Sequence, residues 1–355
     1  MLPQLPGYRL TQELHHSHRT QVYRGYREAD QLAIILKTLN PEHPDMRSLV
    51  RLQREHRILS ALQTPGVAWI HGQEPHRNHT ALVFEDCGAE PLSEQLPPGR
   101  PMPLEDFFKV AIAAAHLLTQ VHQHAIHKHL SPQTILWNPR NDSVRFIGYG
   151  DASETMREPQ VVRHPKLPLD ALPYVSPEQT GRLNRGLDYR SDFYSLGITF
   201  YRLLTGQLPF AASEALDWIH CHLAQPAPPP ALVNPEVPGT LSAVVLKLLA
   251  KSPEDRYQSA RGLWWDLSEC QRLWLETGDI PPLPLATHDV APQFHLPRRL
   301  YGRDQEAQRI MEAFQAAASG KPSFMLVSGP AGIGKSALVH DVLRGIVDDN
   351  GYFLR

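Results

Sequence analysis

Short apolar runs divided by polar turns occupy the first ninety residues. YRLTQEL (8–14), TQVYRGY (20–26), LAIILKTL (32–39) and TALVFED (80–86) carry the β-branched and aromatic content of strands. Between the third and fourth, RSLVRLQREHRILSAL (47–62) sets Leu49, Leu52, Ile58, Leu59 and Leu62 on a helical stripe. A small sheet with one inserted helix is expected. From about residue 91 the period changes: in 103–124, Leu104, Phe108, Ala111, Ala115, Leu118 and Val121 recur at three- and four-residue steps, the pattern of a buried helix. Further helices are predicted over 192–206, 215–224, 240–250 and 260–277. Prolines cluster in QPAPPPALVNPEVPG (225–239), read as an ordered loop, and in DIPPLPLATHDVAPQFHLP (279–297), read as a linker. Beyond it, 300–320 reads as a helix and 322–347 as strand, glycine loop and helix.

Length supports this division, because single cores rarely grow past about 250–300 residues and the chain has 355. Charge adds little: 35 basic against 37 acidic residues leave a formal net charge of −2 with no long basic run, which argues against a nucleic-acid partner. Cys87, Cys221 and Cys270 are far apart and form no Cys-x-x-Cys, so neither a disulfide framework nor a zinc ribbon is expected. The opening MLPQLPGYRL lacks the charged and apolar regions of a signal peptide, and no apolar run reaches the roughly 20 residues of a membrane span. A reducing, cytoplasmic location follows as the expectation.

Residues 329–336, GPAGIGKS, fit G-x-x-x-x-G-K-[ST] between an apolar run (Phe324 to Val327) and an apolar helix. In such a loop Gly329, Gly332 and Gly334 let backbone N–H groups curl around phosphates, Lys335 reaches the β/γ-phosphates and Ser336 ligates Mg²⁺. With YGRDQEAQRI (301–310) upstream, the segment resembles the opening of an AAA-like or STAND-type NTPase. The chain stops about 20 residues past Lys335, before a second acidic strand. A fragment of a longer protein, whose P-loop unit is incomplete, is therefore expected.

The preceding 270 residues resemble a serine/threonine protein kinase domain. Paired with a downstream P-loop, and with SPEQTGRLNR (176–185), they resemble the bacterial, cyanobacterial-type hybrid sensor kinases, in which sensor and histidine-kinase modules often follow. The resemblance places Lys37 of AIILK (33–37) as the strand lysine that pairs ATP phosphates and Glu55 of REHRIL (54–59) as the helix glutamate that orients it. Glu85, Asp86 and Cys87 match the hinge whose backbone meets adenine. VSPEQ (175–179), SDFYSLG (191–197) and SPEDRYQSA (252–260) match structural motifs. Their Glu178, Asp192 and Arg256, with His127 of the catalytic loop, would hold the fold, Glu178 and Arg256 as a buried ion pair.

The chemical positions depart from that pattern. Phosphoryl transfer needs a carboxylate to accept the hydroxyl proton and oxygen ligands to hold Mg²⁺. In AIHKHLSPQTILWNP (125–139) His129 stands at the base, Ser131 at the loop lysine and Thr134 at the metal-binding asparagine. In FIGYGDAS (146–153) Gly148 stands at the Mg²⁺ aspartate and Tyr149 at the phenylalanine, while Ala171 replaces the activation-segment threonine. The glycine-loop positions hold His15, Ser17 and Thr20. Losing a general base alone costs about 10²–10⁴-fold in rate. The expectation is an α+β two-lobed kinase-like fold at 8–275 (small lobe 8–90, large lobe 91–275) after a leader (1–7). A linker (276–298) and the first part of an α/β P-loop NTPase (299–355) follow. Three functions stay open: a pseudokinase that binds protein partners or relays to the NTPase; an active kinase using Asp151 and His129 as substitutes; and a nucleotide switch acting through the P-loop alone. ATP is expected at the P-loop with Mg²⁺, and in the kinase cleft if that site persists. The alternating histidines 122–129 and the cluster His15, His16 and His18 lack acidic or cysteine partners at ligand spacing, so no metal site is expected.

Overall fold

The computed structural model describes residues 2–291 except 41–44, 63, 77–78, 98, 159–169 and 184, and in the C-terminal unit 303–320, 324–330, 333, 335, 338–339 and 342. The chain divides into two compact units, Met1–Pro292 and Gln293–Arg355.

The small lobe is one antiparallel sheet of β1 (Tyr8–His16), β2 (Thr20–Arg27), β3 (Ala33–Leu39), β4 (Ile70–His76) and β5 (His79–Glu85), in the order β1-β2-β3-β5-β4. Side chains alternate across a strand. Ile34 and Leu36 of β3 therefore pack with Tyr23, Ala81, Val83 and Leu5 on one face. Ile35, Lys37 and Leu39 turn to the other, where helix α1 (Met46–Ala61) lies. Leu5 is buried in the small-lobe core, so the segment expected as a leader seals the outer face of the sheet. At Gly25 the β1 bulge brings backbone so close that a Cβ would sit 2.4 Å from the Arg9 carbonyl. Asp45 caps α1 by accepting from the Ser48 N–H, and Leu52, Glu55, Ile58 and Leu59 form its buried face.

The large lobe begins with a short strand, β6 (Glu90–Pro91), and one turn of helix, α2 (Leu92–Gln95). Helix α3 (Leu104–Val121) buries the stripe read from sequence. Strands β7 (Ile135–Asn138) and β8 (Ser143–Phe146) complete a three-stranded sheet with β6. Helix α4 (Arg190–Thr205) is buried along almost its whole length, and α5 (Ala215–Leu223), α6 (Pro230–Val233), α7 (Gly239–Leu248) and α8 (Ala260–Thr277) follow. Gly197 permits the close approach of α4 and α7, since a Cβ there would lie 2.8 Å from that of Leu248.

The segment after α8 corrects the linker expectation in part. Residues 279–291 are strapped onto the large lobe: Ile280 is buried and the Thr240 hydroxyl donates to the Pro281 carbonyl at 2.8 Å. The Ala286 N–H donates to Asp266 at 2.8 Å, and Asp289 accepts from the Gln258 and Ser259 N–H groups at 2.6 and 2.7 Å. The first compact unit accordingly extends well past residue 275.

In the second unit, α9 (Asp304–Ala318) contributes Ala307, Ile310, Met311 and Phe314, which with Val327 surround Leu338 and Val342. The strand expected over Phe324 to Val327 is not formed, and Phe324 is 93% and Leu326 78% exposed. A strand exists only through a hydrogen-bonded neighbour, and among the described residues none pairs with this stretch. Gly332, Gly334 and Ser336 of the P-loop lie outside the described residues.

Candidate functional site

The inward face of β3 points Lys37 at α1, where its Nζ meets Glu55 Oε2 at 2.6 Å. Glu55 is buried while the lysine side chain keeps a fifth of its surface open, so the ammonium is oriented by the helix yet reachable from the cleft. Two more ion pairs, invisible in the sequence, tie α1 to the segment beyond β8. Arg51 meets Asp151 at 2.6 Å and Arg57 meets Glu154 at 2.6 Å. Arg51 precedes Glu55 by one helical turn, the only hint that it shares that face.

The loop 125–134 is held from below by Asp192 at the first turn of α4. This fully buried carboxylate accepts from the backbone N–H of His127 at 2.8 Å and of Lys128 at 2.7 Å, and contacts His122 Nε2 at 3.0 Å. These partners depress its pKa against the burial that would raise it. His127 bonds the Ile147 carbonyl through Nε2 at 3.0 Å and packs edge-on against Tyr149, ring centroids 4.5 Å apart. Burial pushes the His127 pKa down to about 4, so the ring is neutral at pH 7. Lys128 has a positive φ of 66° and pairs with Glu158 at 2.8 Å, while Gln179 donates to its carbonyl at 2.7 Å. Deeper in the lobe Glu178 and Arg256 form the bidentate buried pair anticipated from sequence, at 2.6 and 2.9 Å.

Of the five positions read as altered, His129, Ser131 and Thr134 lie in this loop and Gly148 packs against Thr134. The Thr134 hydroxyl donates to the carbonyl of His129 at 2.7 Å or of Ser131 at 3.2 Å, and accepts from the Ser131 N–H at 3.0 Å. It is therefore spent on holding the turn. Gly148 has φ +87°, and a Cβ on it would meet the Thr134 methyl at 3.3 Å: the threonine crowds the place where a carboxylate would start. His129 is half-buried, and desolvation lowers its pKa; Asp151 and Asp170 oppose that, Arg51 and Lys37 reinforce it. Ser131 and Ala171 are buried. Asp151, the substitute ligand considered from sequence, is occupied by Arg51.

An Mg²⁺ ion of the kinase type needs several oxygen ligands at octahedral positions. Gly148 offers no side-chain oxygen, Thr134 has committed its own, and Asp151 is neutralised by a guanidinium. Among the described residues no group of three or more metal-ligating side chains exists. The cleft's residues do not fit that ion.

At the hinge-like stretch, Asp86 binds Arg24 at 2.6 Å and caps the Gly88 N–H at 2.9 Å. Glu85 is exposed, Cys87 is a part-exposed free thiol, and the Cys87 carbonyl accepts from Asn138 at 3.3 Å. The β1–β2 turn is closed by its own polar groups: the Ser17 hydroxyl accepts from the Thr20 N–H at 3.0 Å, and Asn40 donates to the Ser17 carbonyl at 2.9 Å. In the P-loop, Lys335 donates to the Gly329 and Pro330 carbonyls, each at 2.9 Å.

A two-lobed fold with the lysine–glutamate pair, the loop-anchoring aspartate and the buried Glu178–Arg256 pair defines a class. The sequence matches the protein kinase domain over residues 8–263 and the AAA ATPase domain over residues 299–355. The chain belongs to the protein kinase domain family. It is 38% identical over 191 residues to Hybrid signal transduction histidine kinase G of Dictyostelium discoideum, covering 48% of this chain and 6% of that protein. It is 30% identical over 259 residues to Serine/threonine-protein kinase Pkn1 of Myxococcus xanthus, covering 71% and 36%. With DNA damage-responsive serine/threonine-protein kinase RqkA of Deinococcus radiodurans it shares 31% identity over 286 residues, covering 77% and 42%. The chain thus spans less than half the length of each of these relatives. Among the described residues no helix is long and apolar enough to cross a membrane.

Proposed function

We propose that the kinase-like unit is a pseudokinase: a cytoplasmic signalling body that keeps the kinase architecture, does not transfer phosphate, and regulates or scaffolds the AAA unit and further sensor modules of hybrid-kinase type. The observation that carries this reading is that the positions matching the family's catalytic base and metal ligands hold His129, Thr134 and Gly148, while the scaffold pairs Lys37–Glu55 and Glu178–Arg256 persist at 2.6 Å. Phosphoryl transfer is catalysed by positioning and charge neutralisation, and both supports of that neutralisation are missing. The P-loop of the second unit, with Lys335 and Ser336, is the Mg²⁺-ATP site in this reading. The test is γ-phosphate transfer by the full chain with Mg²⁺ or Mn²⁺, to itself and to a general substrate protein. No transfer above that of Lys37→Met is expected, and transfer abolished by Lys37→Met overturns the reading.

A further inference from the structure

The same substitutions that remove chemistry also change what the cleft can bind. In a metal-dependent kinase cleft an aspartate and an asparagine hold the cation and a second aspartate serves as the base, and without the cation the carboxylates repel the polyphosphate. Here Gly148 stands at the cation-holding aspartate and brings no charge, and a histidine, His129, its pKa lowered by burial, stands at the base. Two carboxylates have electrostatic reach of His129. Asp151 is bound by Arg51 at 2.6 Å, and Asp170 is exposed. The oriented cation at the cleft is Lys37, open over a fifth of its side chain.

We propose that the kinase-like cleft takes adenine nucleotide without a divalent cation, with Lys37 facing the phosphates and Mg²⁺ making no difference to affinity. This rests on the pseudokinase reading and sharpens it. The chain then has two nucleotide sites of opposite character, a metal-blind one between the lobes and an Mg²⁺-dependent one at Lys335. Changes in free Mg²⁺ affect only the second. Nucleotide held in the cleft acts as a structural ligand of the two lobes, as binding to the folded state stabilises it.

The chain supplies its own reporter. Cys87 lies in the hinge-like stretch and is part-exposed, while Cys221 and Cys270 are buried. In the full chain, the rate of Cys87 alkylation, quantified by mass spectrometry, reports the cleft independently of the P-loop. Titration with ATP is expected to protect Cys87 with the same midpoint, within about twofold, in EDTA and in Mg²⁺. Lys37→Met weakens that protection by about tenfold. The double variant Thr134→Asn with Gly148→Asp restores two oxygen ligands. It also removes the threonine methyl that lies 3.3 Å from the new Cβ, at a φ that aspartate tolerates better than most residues. Its midpoint is expected to become Mg²⁺-dependent by about tenfold or more. Should that variant fail to fold, the wild-type comparison and Lys37→Met still decide. Protection that requires Mg²⁺ in the wild-type chain overturns the proposal, as does a folded double variant that stays indifferent to Mg²⁺. Absence of protection at any nucleotide concentration also overturns it, while leaving the pseudokinase reading to stand on the transfer assay.

Discussion

Replacing Arg256 with methionine removes the most heavily committed side chain of the large lobe. All five guanidinium N–H donors are used: two on Glu178 at 2.6 and 2.9 Å, and one each on the carbonyls of Ala250, Arg190 and Lys251 at 2.8 to 3.0 Å. The Arg256 side chain is completely buried and that of Glu178 nearly so. After the substitution the carboxylate keeps the Ser191 hydroxyl at 2.8 Å but no cation, and three backbone carbonyls lose a donor. Breaking a buried pair from one side costs about 3–5 kcal/mol, chiefly because the remaining charge is stranded. At about 2 °C per kcal/mol for a domain of this size, the melting transition of the first unit should fall by about 6–10 °C. Differential scanning calorimetry of the full chain measures it. Arg272→Met is the matched control: its pairs with Glu269 and Glu276 lie on the surface of α8 with the arginine half exposed, and its loss should leave the melting transition nearly unchanged. Neutralising the stranded partner with Glu178→Gln in the Arg256→Met background should recover part of the loss. An Arg256→Met shift no larger than that of Arg272→Met would refute the assignment of this pair as the lobe's anchor.

Other consequences follow from the same geometry. His127 and His222 are buried with pKa values pushed down to about 4 by desolvation; the unfolded chain binds their protons near pH 6.5, so the stability they contribute is complete above that pH and falls as pH drops towards 4. Each is worth about 3 kcal/mol at most, and His222→Gln should flatten a Tm-against-pH profile between pH 6.5 and 4. The Tyr149 hydroxyl is fully buried with no hydrogen-bond partner among the described residues, so Tyr149→Phe should stabilise the fold by about 1 kcal/mol, read as a rise in Tm. Gly262→Ala would drive a methyl to within 2.5 Å of Asp289 Oδ1, loosening the strap at 279–291. Limited proteolysis should then cut that segment faster than in the wild-type chain.

Much of this architecture is legible in the sequence because its signals are local or spaced along one element. The stripe of α3 announces a buried helix, and the alternation of side chains along β3 turns Lys37 towards the helix that carries Glu55. Strand β4 escaped because IHGQEPH offers few apolar positions; it is recruited by pairing with β5. The strap escaped because prolines signal a lack of regular structure, which a segment packed through Asp266 and Asp289 also lacks. The ion pairs Arg51–Asp151, Arg57–Glu154 and Lys128–Glu158 join residues 30 to 100 positions apart, and charge pattern alone does not choose such partners. The positions read as altered come from the kinase resemblance, one by one. That the Thr134 hydroxyl is consumed in holding the loop became visible only in three dimensions.

The central claim is that this kinase fold has lost phosphoryl transfer, and the most direct measurement is the γ-phosphate transfer rate of the full chain against Lys37→Met, with Mg²⁺ and with Mn²⁺. The account predicts indistinguishable rates at background for both proteins and both metals. Transfer by the wild-type chain that vanishes in Lys37→Met would contradict it.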